Sequence, residues 1–357
     1  NGVDCVVGQQ DKHRIIEIVS ALADKNMDGV GGKPMLCHTD ISRYRNFDAM
    51  PAPAAGKKRT RPFLKIQDGC DCFCAYCIVP YTRGRSRSLP VASVLSEFSA
   101  LAESNAPEIV LTGVHIGRYG RDLSPKTGLA GLLALLDAID GRHRIRLSSI
   151  EPAELTDELL QAVYSAEKIC PHFHVPLQSG DAGILKEMKR PYDPETFADR
   201  VETLRNLFPD AAIGADVLVG FPGEDETAFS RTFELIAALP VTYLHVFPFS
   251  ARPGTRAAQM DNPVADSVVK ERCRTLRRLG AMKKQQFYAQ MTEKILDVVI
   301  ETMENPVSGL AKGISANYIP VYVENADGMQ GKRIACQITG PASGEALCGK
   351  AVSAIRS

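Results

Sequence analysis

Four cysteines fall within one short stretch, Gly69-Cys70-Asp71-Cys72-Phe73-Cys74-Ala75-Tyr76-Cys77. Of these, Cys70, Cys74 and Cys77 are spaced C-x3-C-x2-C. Three thiolates at that spacing can hold three irons of a cubane iron–sulfur cluster and leave the fourth iron without a protein ligand. A metal position left open carries chemistry, whereas a closed ligand set builds structure. The loop therefore predicts a reactive metal centre on Cys70, Cys74 and Cys77. Cys72 is the odd member: it competes for iron through Cys72-Phe73-Cys74 or stands aside.

Such a centre needs a frame to hold it. From residue 60 onward strand-like and helix-like segments alternate at a spacing of roughly 30 residues, as in βαβ units. The expected strands are Phe63–Gln67, Glu108–Thr112, Arg144–Ile150, His172–Leu177, Ile213–Val219 and Tyr243–Phe249, with helical patterns near 91–104, 128–139, 155–166, 194–207 and 225–238. The strands are apolar runs rather than strict alternations, which suits a parallel sheet covered by helices. Six units predict an incomplete α/β barrel, (β/α)6. Functional residues of such barrels gather at the carboxyl ends of the strands. The polar phrases fall there: the cysteine loop, Thr112-Gly113-Val114-His115, Ser148-Ser149-Ile150-Glu151, Gln178-Ser179-Gly180, Asp216 with Gly220 to Glu224, and Ser250 to Thr255. One such loop reads as turn and capping residues; six on one rim read as a pocket for a sizeable polar ligand.

Around this core, residues 1–55 read as the remnant of an interrupted α/β unit, with a strand at Val3–Val7, a helix at Lys12–Ala23 and a linker ending in Pro51 to Gly56. Residues 56–290 form the core and end in a long basic helix, Val264 to Gln290. In residues 291–357 the runs Ile295–Glu301, Tyr318–Glu324 and Arg333–Thr339 predict a small all-β domain, a barrel in outline.

Composition narrows the class. Hydrophobic residues at 45% and charged residues at 24% are those of a globular protein, and no apolar run is long enough to span a bilayer. The formal net charge is zero, so nucleic-acid binding has to use local patches. The candidates are Lys57 to Arg61, Arg83 to Arg87 and Arg272 to Lys284, the last of which reads equally as a solvated helix face. The ten cysteines, six of them scattered singly, fit a reduced cytoplasmic compartment better than a disulfide framework.

The motifs then become specific. Asp68 to Ser88, Leu111 to Asp122, His174 to Gly180, Asp216 to Glu224 and Leu244 to Thr255 resemble the radical S-adenosylmethionine methylthiotransferases. Arg83-Gly-Arg-Ser-Arg-Ser88 and His245-Val-Phe-Pro-Phe-Ser250 resemble most the MtaB-type branch, which modifies threonylcarbamoyladenosine in tRNA. The branches acting on isopentenyladenosine and on a ribosomal protein stay open. The resemblance implies a [4Fe–4S] cluster on Cys70, Cys74 and Cys77, S-adenosylmethionine on its open iron, and a methylthio group added to C2 of the modified adenosine. It places Tyr76 against the adenine, Thr112 and Gly113 near the methionyl amine, and Ser149 and Glu151 at the ribose or carboxylate. Gln178 and Asp216 would line the pocket. Residues 291–357 resemble the TRAM module, centred on Asn317-Tyr318-Ile319, and imply tRNA as partner together with an unidentified electron donor. The family also carries an N-terminal domain with three cysteines for a second [4Fe–4S] cluster. Val3 to Lys12 resembles the end of that domain, so this chain is expected to lack those ligands and to stop short of sulfur insertion. A reading of another class makes the cysteine loop a closed zinc site in a non-catalytic RNA-binding protein. A structural zinc site usually draws its cysteines from two separated pairs, which these are not.

Overall fold

The computed structural model describes residues 3–24, 34–41, 44, 47, 59–305, 310–342 and 345–354. The proposed linker, Pro51 to Gly56, and Lys57 lie outside the described residues. At the front, β1 (Cys5–Val7) leads through a 3-10 turn into α1 (Ile15–Asp24), and β2 (Met35–Cys37) pairs parallel with β1. That pairing brings the Cys5 and Cys37 sulfurs 4.0 Å apart. All ten cysteines are free thiols.

The core begins with β3 (Phe63–Lys65). The expected first strand then breaks, because β4 (Gln67–Asp68) turns away to pair antiparallel with β5 (Arg87–Ser88) after the short helix α2 (Val79–Arg83). This two-residue ribbon is the neck of the cysteine loop. Next come α3 (Val91–Glu103), β6 (Glu108–Thr112), α4 (Leu129–Asp137), β7 (Arg144–Leu147), α5 (Asp157–Ser165) and β8 (His172–His174). They are followed by α6 (Ala182–Glu187), α7 (Pro194–Leu207), β9 (Ala212–Val219), α8 (Glu226–Ala238) and β10 (Tyr243–Pro248). Strands pair parallel in the orders β3-β6-β7 and β8-β9-β10, and an Ile145–Ile169 bridge joins the two sets. The result is the expected open arc of six strands. Strand interiors such as Ile109, Leu111, Ile145, Ile213 and Val217 are buried on the outer side against Phe98, Leu133, Phe197 and Ile236 of the helices.

Helix starts are fixed by side chains. Thr156, Asp181, Asp193 and Asp225 each accept the backbone N–H three residues on, capping α5, α6, α7 and α8. Such caps contribute about 1 kcal/mol each, and they start these helices soon after the rim loops.

Helix α9 (Asp266–Ala289) lies along β10, and its basic run is largely engaged. Arg272 is buried and pairs with Glu224 at 2.8 Å, Lys283 donates to the Ala237 and Leu239 carbonyls, and Lys284 pairs with Glu345. In the same way Arg87 is buried and donates to the Arg83 and Arg85 carbonyls. The buried Arg272 and Arg87 hold the fold together rather than offering themselves to phosphate.

Strands β11 (Ile295–Asn305), β12 (Leu310–Ser315), β13 (Pro320–Glu324), β14 (Arg333–Pro341) and β15 (Leu347–Ala354) close a barrel in the order β11-β12-β13-β15-β14. This barrel docks on the amino-terminal ends of the core strands. Glu108, fully buried at the start of β6, accepts from Arg144 and Arg146 of β7 at 2.7 Å each and from Arg61 at 3.2 Å. The remaining guanidinium hydrogens reach the small barrel: Arg144 bonds the Asp297 and Ile314 carbonyls, and Arg146 those of Ser315 and Ala316.

His143, just before β7, packs edge-on against Phe98 and has no hydrogen-bond partner for either ring nitrogen among the described residues. Burial pushes its pKa from 6.5 down to about 4. The unfolded chain therefore takes up this proton before the folded one does. Stability present above pH 6.5 is expected to fall as pH drops from about 6.5 towards 4. His143→Leu should flatten that slope, read as the urea midpoint at pH 7 against pH 5.

Candidate active site

Gly69 sets the geometry of the cysteine loop. Its φ is +73°, and a Cβ there would collide with the Arg85 carbonyl, so only glycine lets the loop leave the neck. The loop is closed by a hydrogen bond from Cys70 N to Gly84 O at 3.0 Å. Gln67 ties it further through Nε2 to the Gly69 carbonyl and Oε1 to the His115 amide.

Each of the three sulfurs meets an N–H. The Cys72 amide lies 3.4 Å from Cys70 Sγ, the Arg190 guanidinium lies 3.2 Å from Cys74 Sγ, and the Val79 amide bonds Cys77. Hydrogen bonds to sulfur stabilise thiolate and tune cluster ligands. The donor set on Cys70, Cys74 and Cys77 therefore fits an iron–sulfur cluster. A bond from Cys72 lowers the Cys70 pKa, and the same bond, with burial, raises that of Cys72. Burial raises Cys74 and Cys77.

Arg190 organises the centre of the rim. Its guanidinium donates to Cys74 Sγ, to the Tyr76 hydroxyl at 3.4 Å and to the Tyr192 hydroxyl at 3.1 Å, and it pairs with Glu151. Burial raises the Glu151 pKa against the pull of Arg190, and the charges of His115, Glu154 and Asp216 also act on it. Glu151 thus stands between the cysteine loop and the lumen of the arc.

The lumen itself is built by strand alternation. The β8–β9–β10 register sets His174 beside Gly214, Gly214 beside Tyr243, and Asp216 beside His245. Alternate residues face one side, so His172, His174, Asp216, Tyr243 and His245 share the lumen. Gly214 is required because a Cβ would sit 2.0 Å from the Tyr243 ring. His174 Nε2 lies 2.9 Å and His245 Nδ1 3.2 Å from Asp216 Oδ1. Burial presses the Asp216 pKa up, but the two histidine bonds outweigh it and hold the carboxylate below its usual range. The Tyr243 hydroxyl bonds His174 Nδ1 and His172 Nε2, and the His172 ring stacks on Tyr318 of the small barrel at 4.3 Å.

The structure thus brings Tyr76 and Glu151 together with Cys74, and sets Asp216 beyond them. Thr112 ends β6, where its carbonyl accepts the Ile66 amide. Gly113 packs where a Cβ would lie 2.8 Å from the Gln67 carbonyl. Gln178 takes a left-handed φ of 66° and bridges Val217 through its backbone, and Ser149 is exposed at its strand end. Arg190, His115, Glu154, His174 and His245 had no role assigned from sequence. His115 stands in a strand-end phrase already noted and His174 and His245 in the motifs that carry the resemblance, whereas Arg190 has only the signal of a basic pair, Lys189-Arg190, before a proline. Cys72, the odd member of the loop, has its sulfur 3.5 Å from His115 Nδ1.

Comparison with known proteins agrees with this geometry. The Radical SAM superfamily model matches residues 64–236. The threonylcarbamoyladenosine tRNA methylthiotransferase MtaB of Bacillus subtilis (strain 168) is 36% identical over 340 residues, covering 94% of this chain and 74% of that protein. The MtaB of Aquifex aeolicus (strain VF5) is 37% identical over 298 residues, covering 84% and 70%. The tRNA-2-methylthio-N(6)-dimethylallyladenosine synthase of Pelotomaculum thermopropionicum is 34% identical over 339 residues, covering 95% and 74%. An open six-stranded arc, an N–H-cradled C-x3-C-x2-C loop at its rim and this similarity across most of each partner establish that the chain belongs to the radical S-adenosylmethionine methylthiotransferase family.

Proposed function

We propose that this chain carries the radical step of a tRNA modification, taking hydrogen from C2 of an adenosine whose N6 carries threonylcarbamoyl, and that the methylthio sulfur comes from a second cluster that this chain's own cysteines do not ligate. Cys70, Cys74 and Cys77 hold the [4Fe–4S] cluster, and Tyr76, Thr112, Gly113, Ser149, Glu151, Gln178 and Asp216 line the pocket for S-adenosylmethionine. When bound, these cofactors supply the 5′-deoxyadenosyl radical that takes the C2 hydrogen. The protein orients and excludes water. Arg190 fixes Cys74, Tyr76 and Glu151 in one frame, Tyr318 of the small barrel stacks on the lumen wall, and residues 291–357 serve as the RNA-binding module.

The choice of substrate rests on the lumen. His174, Asp216, Tyr243 and His245 make a polar, hydrogen-bonding wall, with His245 half exposed to receive a ligand. Threonylcarbamoyl brings a carboxylate, a hydroxyl and a urea to such a wall. Dimethylallyl brings none of these and gains no bond there, the wall's groups staying paired with one another.

Anticodon stem-loop RNAs bearing each modification test this by fluorescence anisotropy. Threonylcarbamoyladenosine RNA is expected to bind at least about tenfold tighter than dimethylallyladenosine RNA, the value of one hydrogen bond to a charged group. His245→Ala should erase most of that preference. Equal affinity for the two RNAs, or a preference for the dimethylallyl form, would overturn the assignment.

A further inference from the structure

Cys72 stands between two cluster ligands in sequence, yet its sulfur turns to His115. Cys70 Sγ lies 3.4 Å and Cys72 Sγ 3.5 Å from His115 Nδ1, and the three donor atoms lie within 4.8 Å of one another. His115 is buried, and its other nitrogen, Nε2, is 2.7 Å from Glu154 Oε2. Glu154 is itself buried beside Arg118. Two thiolates and an imidazole oriented by a carboxylate are the donor chemistry of a zinc site, in which the carboxylate behind the histidine fixes its tautomer and raises its basicity.

We infer that Cys70, Cys72 and His115, backed by Glu154, form a mononuclear site for a thiophilic divalent cation of the Zn2+ class. Three protein donors leave a four-coordinate ion one position for water. Cys70 belongs to this site and to the cluster loop, so the two metals exclude each other. Zinc captured here withholds one of the three cluster thiolates, and Cys72 is the residue that creates the competition. The inference rests on these four side chains and not on which RNA is modified.

Co2+ titration of the metal-free full chain under anaerobic conditions tests it. The wild type is expected to bind one Co2+ with a thiolate-to-metal charge-transfer band. Cys72→Ala and His115→Ala should each weaken binding by at least about 100-fold, and Glu154→Gln by about 10- to 100-fold, whereas Cys74→Ala and Cys77→Ala should leave it unchanged. Because His115→Ala strands a buried carboxylate, Cys72→Ser, which keeps the size of the side chain, is measured beside it with circular dichroism as the fold control. Preloaded Zn2+ should block iron and sulfide uptake in the wild type and not in Cys72→Ala. Co2+ binding that survives Cys72→Ala, or is lost in Cys74→Ala or Cys77→Ala, would overturn the site, as would equal zinc inhibition of wild type and Cys72→Ala. Iron uptake by zinc-free Cys72→Ala reports separately on the cluster assignment.

Discussion

Cys74→Ala is expected to leave the protein unable to take up a [4Fe–4S] cluster and to lower S-adenosylmethionine cleavage by at least about 1,000-fold, because the radical step belongs to the cofactor and no side chain substitutes for it. Cys70→Ala and Cys77→Ala should behave alike. Iron content and 5′-deoxyadenosine formation after anaerobic reconstitution are the measurements. Cys74 is the most informative of the three, since its sulfur is buried and receives the Arg190 guanidinium. Arg190→Lys, which keeps the charge but loses the planar fork, should retain iron while reducing cleavage. Together the two variants separate holding the cluster from arranging the pocket around it. Full iron content in Cys74→Ala would contradict the ligand assignment.

The second large effect is expected at Glu108. Removing its carboxylate leaves Arg146 without a counter-charge, and leaves Arg144 and Arg61 only Asp297 and Glu301 at the edge of the junction. Breaking a buried ion pair from one side costs about 3–5 kcal/mol, so Glu108→Ala should lower the urea midpoint sharply and Glu108→Gln nearly as much. Burial pushes the Glu108 pKa up, but bonds and charges from the arginines overcome it and hold the pKa well below its ordinary 4.5. The carboxylate therefore stabilises the fold fully above about pH 4.5, and that contribution fades as pH falls below it. In the glutamine variant this acid-dependent part should vanish. The same junction binds the small barrel to the core: removal of residues 292–357 would strip Arg144 and Arg146 of their carbonyl partners and unsettle the core as well.

What sequence reveals here follows the range of the interaction. The cysteine loop, the capped helices and the strand Glu108–Thr112 are local patterns, and the structure places them as the sequence implies. The fourth strand, expected to reach Leu177, stops at His174, since the chain then runs through Pro176 to the left-handed Gln178. Strands β12 and β15 carry glycine and lysine within them and gain their order only by pairing into a closed barrel, so local propensity does not announce them. At the site, the thiolates are read directly from spacing. Arg190 meets Cys74 across 116 residues of chain, and Cys72 meets His115 across 43; both meetings are products of the folded arc.

The stack of rings in the lumen, from Asp216 through His174 and Tyr243 to His172 and Tyr318, ends on a residue contributed by the other module. Tyr318 stays partly open to solvent, so the stack works as a lever rather than a seal. Whatever displaces Tyr318 in the small barrel shifts His172, and through Tyr243 the histidine that holds Asp216. Exchanging that module for another would therefore retune the lumen wall even if the arc kept every one of its own residues.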